Sequence, residues 1–155
     1  MEPSIIPFFN PKGVVIVGAS ADPAKLGWST ARNMLRSGYP GAIAFVNPKG
    51  GELFGRPIYR TVADVPDPVV LAVLIVPAPA TPAALTEVAG RGIRAGIIAS
   101  GGFREVGPEG AALESQCLEI ARKYNLRLIG PNCIGLIDYH LPLDTSFINQ
   151  PPPRR

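Results

Sequence analysis

Short continuous apolar runs alternate along the chain with longer stretches in which apolar residues recur every three or four positions, and turns rich in glycine and proline separate the two. Gly13-Val14-Val15-Ile16-Val17 carries four β-branched residues in succession, the composition of a strand buried on both faces. Comparable runs at Ala42–Val46, Leu71–Val76, Ala95–Ala99 and Arg127–Ile129 bring the predicted strands to five. Between them, Leu113, Cys117, Ile120, Ala121 and Tyr124 form an i, i+4, i+7, i+8, i+11 stripe with Glu and Arg opposite, which predicts an amphipathic helix. Asn125 can close that helix in a left-handed cap. A second predicted helix has Thr81 as N-cap and Pro82 at the first helical position, buries Leu85 and Val88, and stops at Gly90 and Gly92. A third covers about Ser29 to Ser37 and ends at Gly38. Strands alternating with helices across short loops predict an α/β fold with a parallel sheet, whose ligands bind outside the carboxyl ends of the strands.

Length and composition narrow this picture. The chain has 155 residues, which at roughly 100 to 200 residues per domain predicts one domain and excludes a two-domain enzyme. Hydrophobic residues make up 46% and charged residues 17%, against about 25% charged in an average soluble protein, so a core of ordinary size is available. Mean hydropathy is +0.20. The 17 glycines and 18 prolines follow no repeat, which places them in many turns. After Ile137 the periodicity ends, and Asp138–Arg155 finishes in Pro151-Pro152-Pro153-Arg154-Arg155. The expected division is therefore a domain over residues 1–137 and a C-terminal linker or edge segment over 138–155, leading to a next domain.

Net charge is +3 and the pI about 9.1, but Arg154 and Arg155 supply two of the positive charges at the end of the chain. No clustered basic face is visible, so nucleic acid is not an expected partner. The longest apolar run, Val69 to Val76, has 8 residues, short of the roughly 20 that span a bilayer. Neither a membrane helix nor a signal peptide is expected. Two cysteines, Cys117 and Cys133, are too few for a disulfide framework and read as free thiols in a cytoplasmic setting.

The loops after the strands carry the candidate chemistry. Gly18-Ala19-Ser20-Ala21-Asp22-Pro23, followed by Lys25, Gly27 and Trp28, is a turn of small residues entering a helix. It suits backbone N–H groups approaching a phosphate, with Gly18 kept small by that approach, and equally a tight strand-to-helix turn without ligand. Asn47-Pro48-Lys49 stands where a dinucleotide fold normally carries Asp or Glu for a ribose hydroxyl; a neutral Asn47 followed by a cation disfavours NAD and favours an additional phosphate. Val76-Pro77-Ala78-Pro79-Ala80 forms a rigid loop suited to line an adenine or pantetheine groove or simply to end a strand. Ser100-Gly101-Gly102-Phe103 offers small residues and free amides, with Glu105 placed to bond a ligand hydroxyl or to face water. Gly130-Pro131-Asn132-Cys133-Ile134-Gly135 joins a rigid turn to an amide and a thiol. Cys133 as a nucleophile needs a base. His140 is the one histidine and lies in the aperiodic segment, so no catalytic pair is expected, and one histidine with two distant cysteines makes no metal site.

Taken in order, Phe8-Phe9-Asn10-Pro11-Lys12, Val15-Ile16-Val17-Gly18-Ala19-Ser20, Val46-Asn47-Pro48-Lys49, Val76-Pro77-Ala78, Ser100-Gly101-Gly102-Phe103 and Gly130-Pro131-Asn132-Cys133-Ile134-Gly135 resemble the landmarks of the CoA-binding domain of NDP-forming acyl-CoA synthetases, related to the N-terminal domain of the succinyl-CoA synthetase α subunit. The likeness spans about residues 5 to 137. It implies a Rossmann-like, doubly wound, mostly parallel sheet of about five or more strands with helices on both faces, holding coenzyme A at the strand ends. By that likeness Gly18, Ala19 and Ser20 lie against phosphate, and Asn47 and Lys49 form the second loop of the site, with Lys49 pairing with a CoA phosphate. Val76 and Pro77 flank the nucleotide, Ser100 and Gly101 approach the pantetheine arm, and the turn bearing Asn132 and Cys133 sits near the thiol end. In such synthetases a phosphorylated histidine in the next domain and an ATP-grasp domain perform the acyl-phosphate chemistry, so this chain is expected to bind CoA without completing a turnover. The alternatives are an NADP-binding or free-standing CoA-binding regulatory module, the synthetase-like regulatory part of a protein acetyltransferase, and a structural interaction domain.

Overall fold

The structure, a computed structural model, describes residues 4–150, 152 and 153. In chain order its elements are α1 (Ile6–Phe9), β1 (Gly13–Val17), α2 (Leu26–Arg36), β2 (Ala42–Val46), β3 (Glu52–Leu53), β4 (Arg56–Tyr59), β5 (Leu71–Leu74), α3 (Thr81–Gly90), β6 (Ala95–Ile98), α4 (Pro108–Lys123), β7 (Arg127–Ile129), β8 (Ile137–Asp138) and β9 (Leu143–Asp144), with 3-10 turns at Val62–Asp64, Ala78–Ala80 and Arg104–Val106. Among the described residues, no helix is long and apolar enough to cross a membrane.

Seven strands make one sheet in the order β3-β4-β2-β1-β5-β6-β7. β1 lies between β2 and β5 and runs parallel to both, with Val14 opposite Ile43 on one side and Leu71 on the other. β4, β6 and β7 extend the parallel arrangement, and β3 adds an antiparallel edge. Side chains alternate across the sheet, so β1 feeds two cores. Val15 and Val17 meet Leu85 and Val88 of α3 and Cys117 and Ala121 of α4. Val14 and Ile16 meet Phe8 of α1 and Ala31 and Met34 of α2. A strand apolar at every position is what two cores require of their shared wall. The doubly wound, Rossmann-like α/β architecture is thus the observed one.

All five predicted strands are present, although β5 and β6 stop at Leu74 and Ile98, before the loops that follow. β3 and β4 escape the apolar pattern because they are short, carry Pro57 and expose half of their residues. Helix α2 begins at Leu26, three residues ahead of Ser29, with Lys25 in the N-cap position. Thr81 is the first residue of α3 rather than its N-cap: the 3-10 turn Ala78–Ala80 runs straight into the helix, Ala80 is already helical in backbone, and the Thr81 hydroxyl donates to the Pro77 carbonyl at 3.3 Å. An N-cap needs an extended residue, and none stands there. Asn125 takes the expected left-handed conformation at φ 55, and the Leu126 N–H returns to the Ala121 carbonyl at 2.8 Å.

The aperiodic segment after Ile137 packs through Leu143, which joins the core with Phe8 and Met34, and through polar bonds. Leu143, Asp144, Thr145 and Ser146 are buried, and β8 pairs with β9. From α2, the buried Asn33 amide donates to the Ser146 and Ile148 carbonyls at 2.9 and 2.8 Å, while Thr145 Oγ1 accepts from the Leu136 N–H at 2.8 Å. Such bonds leave no hydrophobic period to read. Asn33→Ala takes the amide donor from the Ser146 carbonyl and leaves the Ile148 carbonyl only the longer bond from Arg32 Nη2 at 3.5 Å, and is expected to lower unfolding stability by about 2 kcal/mol. Urea denaturation measures this, with faster hydrogen exchange at residues 143–148; an unchanged midpoint and unchanged exchange would show that Asn33 does not hold the segment.

Candidate functional site

The carboxyl ends of β1, β2, β5 and β6 open on one side of the sheet, and the first turn is shaped by backbone contact. Gly18 leaves β1 at φ +96, and a Cβ there would collide with the Ile75 backbone carbonyl. Gly27, in the first turn of α2, abuts the Gly18 carbonyl closely enough that a Cβ on it would also collide. The Gly18 and Ala19 amides both donate to the Val46 carbonyl, at 2.9 and 3.2 Å. These two residues therefore give the turn its shape, and their N–H groups are spent within the sheet. The donors left to a ligand lie further on, where α2 begins at Leu26 and its N-cap residue Lys25 makes no side-chain cap.

Asn47 ties the second loop to the first. Its Nδ2 donates to the Ala19 carbonyl at 2.9 Å, and its Oδ1 accepts the Lys49 N–H at 3.0 Å. Lys49 is exposed. Val76 is half-buried and Pro77 exposed, on a chain that turns inward at the buried Ala78.

The loop after β6 differs from its sequence reading. Glu105 Oε1 accepts from the Gly102 N–H at 2.5 Å and the Phe103 N–H at 3.2 Å, so these amides are not free. The bond from Gly102, followed by the residue's own backbone N–H, holds the Glu105 carboxyl below its ordinary pKa, and Phe103 adds to this. The next loop joins this one, as the Asn132 N–H donates to the Ser100 carbonyl at 2.9 Å. A Cβ on Gly101 would lie 3.2 Å from Asn132 Oδ1. The Cys133 thiol donates to the Ile98 carbonyl at 3.4 Å, and burial pushes its pKa up. A protonated thiol bonded to the sheet is a poor nucleophile. His140 lies in the turn between β8 and β9, with its N–H bonded to Asp138.

These loops enclose an open cleft of about 580 Å³. Of the residues singled out in the sequence, Gly18, Ser20, Asn47, Lys49, Val76, Pro77, Ser100 and Gly101 line it. Ala19 is fully buried beneath it, Asn132 stands behind Gly101, and Cys133 is not part of the lining. Lys25, Leu26, Gly27, Pro48, Ile75 and Ala80 complete the wall. Lys25 and Gly27 were visible as loop residues but not selected, because α2 was expected to start three residues later; Leu26, an exposed leucine on the first turn of α2, carried no distinguishing signal. Both charged residues in the lining, Lys25 and Lys49, are cations.

A parallel sheet switching direction about β1, with a glycine turn packed on a helix N-terminus and a cation-bearing cleft at the strand ends, defines a Rossmann-like domain of the kind that takes ligands at that edge. The chain belongs to the CoA binding domain family, which it matches over residues 12–138. It is 42% identical over 148 residues to the α subunit of an ADP-forming acetate–CoA ligase I of Pyrococcus furiosus, a match covering 93% of this chain and 32% of that one. It is 40% identical over 144 residues to an ADP-forming acetate–CoA ligase of Methanocaldococcus jannaschii, covering 93% of this chain and 20% of the relative. Among solved structures, a dinucleotide forming acetyl-coenzyme A synthetase 1 of Ca. Korarchaeum cryptofilum in complex with phosphate and ADP superposes with a TM-score of 0.88 at 34% identity, over 93% of this chain and 31% of that one. The chain thus spans a third or less of the length of these relatives.

The contacts at Gly18 change the reason for its small size from ligand approach to backbone geometry. Gly18→Val is expected to lower the melting temperature of the ligand-free protein, the φ requirement alone costing roughly 1 to 3 kcal/mol. Thermal denaturation without ligand checks this; a variant that melts like the wild type would return the requirement to the ligand.

Proposed function

We propose that the strand-end cleft binds coenzyme A. The supporting observation is that residues from four separate loops, chosen as a set, line one cleft whose charged members are both cations. In this reading the phosphates lie against Lys49, Lys25 and the turn at Gly18–Ser20, where the uncapped start of α2 favours negative charge. Val76 and Pro77 flank the nucleotide. The pantetheine arm passes Ser100 and Gly101 toward Asn132 and Cys133. CoA supplies its own thiol as the reacting group, and Cys133, bonded to Ile98 outside the lining, takes no part in the chemistry.

The wider activity we infer is that of an NDP-forming acyl-CoA synthetase, in which this domain presents the CoA thiol while a phosphohistidine-bearing domain and an ATP-grasp domain supply the acyl phosphate. The relatives named as ADP-forming acetate–CoA ligases support this assignment. This 155-residue stretch, purified as such, is expected to bind CoA and to form no acyl-CoA from acid, CoA and nucleotide.

Calorimetric titration of CoA, dephospho-CoA, NADP and ATP against one preparation tests the ligand. CoA is expected to bind tightest, and tighter binding of NADP would overturn the reading. Lys49→Ala is expected to weaken CoA more than dephospho-CoA, on the order of tenfold for a lost charge-assisted hydrogen bond to the 3′-phosphate. Equal losses for both ligands would assign Lys49 to the pyrophosphate, and no loss would remove it from the site.

A further inference from the structure

The loop after β6 is bracketed by its surroundings. Ser100 O accepts the Asn132 N–H, the Arg104 N–H donates to Glu114 Oε2 at 3.3 Å, and the Phe103 ring is fully buried. Between these anchors lies Gly101-Gly102, the stretch with the most backbone freedom. There Glu105 Oε1 gathers two consecutive N–H groups onto a single oxygen. A Cβ on Gly101 would stand 3.2 Å from that same oxygen, so the carboxylate lies directly behind the cleft wall.

We propose that Glu105 is a positioning residue, whose carboxylate holds the Gly102 and Phe103 amides in the turn that presents Ser100 and Gly101 to the ligand. The inference rests on the CoA reading above. The Gly102 and Phe103 amides reach the one carboxylate oxygen only while the loop keeps this turn; without the acceptor they face water, and the glycine pair must be ordered again when a ligand binds, at the expense of affinity.

The charged and titratable neighbours leave this role to Glu105. Arg104, on the same 3-10 turn, is drawn to Glu114 of α4 at 3.3 Å. From the loop after β7, Asn132 is neutral and Cys133 is held protonated by burial. Because the folded-state pKa of Glu105 is lowered, the bonded form is complete above the ordinary carboxylate range and is lost as pH falls through the lowered value.

Two measurements test the proposal on the full chain. In calorimetry at pH 7, Glu105→Ala is expected to weaken CoA on the order of tenfold, Glu105→Gln, which keeps an acceptor oxygen, to weaken it less, and Glu119→Gln, on the outer face of α4, to leave it unchanged. In ligand-free protein, the Gly102 amide resonance is expected to shift on acidification in the wild type and to stay flat in Glu105→Gln. Wild-type affinity in Glu105→Ala, or a wild-type Gly102 resonance indifferent to pH, overturns the proposal alone. A wild type that does not bind CoA overturns the CoA reading and this inference together.

Discussion

The cleft depends on how closely backbone approaches backbone where β1 ends. Gly18 lies against the carbonyl of Ile75, Gly27 lies against the carbonyl of Gly18, and two successive amides share the Val46 carbonyl. These contacts draw the ends of β1, β2 and β5 and the start of α2 into a single rim. A side chain at either glycine would push the helix or the neighbouring strand outward, and the later loops would then face a different opening. The two cores beneath serve this rim: β1, buried on both faces, is the fixed wall from which the turn departs.

Charge is distributed unevenly around that rim. Lys25 and Lys49 follow β1 and β2, on one side of the switch point, while Glu105 follows β6, on the other. An elongated ligand with phosphates at one end and an uncharged arm at the other meets complementary surroundings in one orientation only. Reversed, its phosphates would lie away from both lysines and leave them unpaired. On the proposed CoA reading, the sheet order, which separates β2 from β6 by two strands, sets polarity as well as shape.

Much of this was legible in the sequence, for identifiable reasons. Strands buried on both faces leave continuous β-branched runs, and Gly13–Val17 reads directly as β1. The glycine and proline loops mark the strand ends, so eight of the selected residues converge on the cleft. Hydrogen bonds between side chain and main chain leave no such trace. Nothing in the pattern shows that Asn47 would bind the Ala19 carbonyl, that Glu105 would take the Gly102 and Phe103 amides, or that Asn33 would hold the segment after β9. The start of α2 was misplaced for a related reason: Lys25 and Leu26 are exposed, and the buried members of the first turn, Gly27 and Ser29, are too small to form an apolar stripe that would announce it.

The bonds hidden from the sequence also change how recognition works. Loops rich in small residues suggest free amides waiting for an anion, yet at Gly18, Ala19, Gly102 and Phe103 the amides are already satisfied within the chain. The loops therefore hold their shape before any ligand arrives, and less conformational freedom is lost on binding. The same economy removes those amides from the list of ligand donors. On the CoA reading proposed above, discrimination among phosphate-bearing molecules falls to the groups left over: two lysine side chains, the uncapped amides opening α2, and the apolar walls at Ile75, Val76 and Pro77. In that reading a phosphate count distinguishes ligands at the lysines, whereas the walls distinguish them by the shape of what lies between the phosphates and the reacting end.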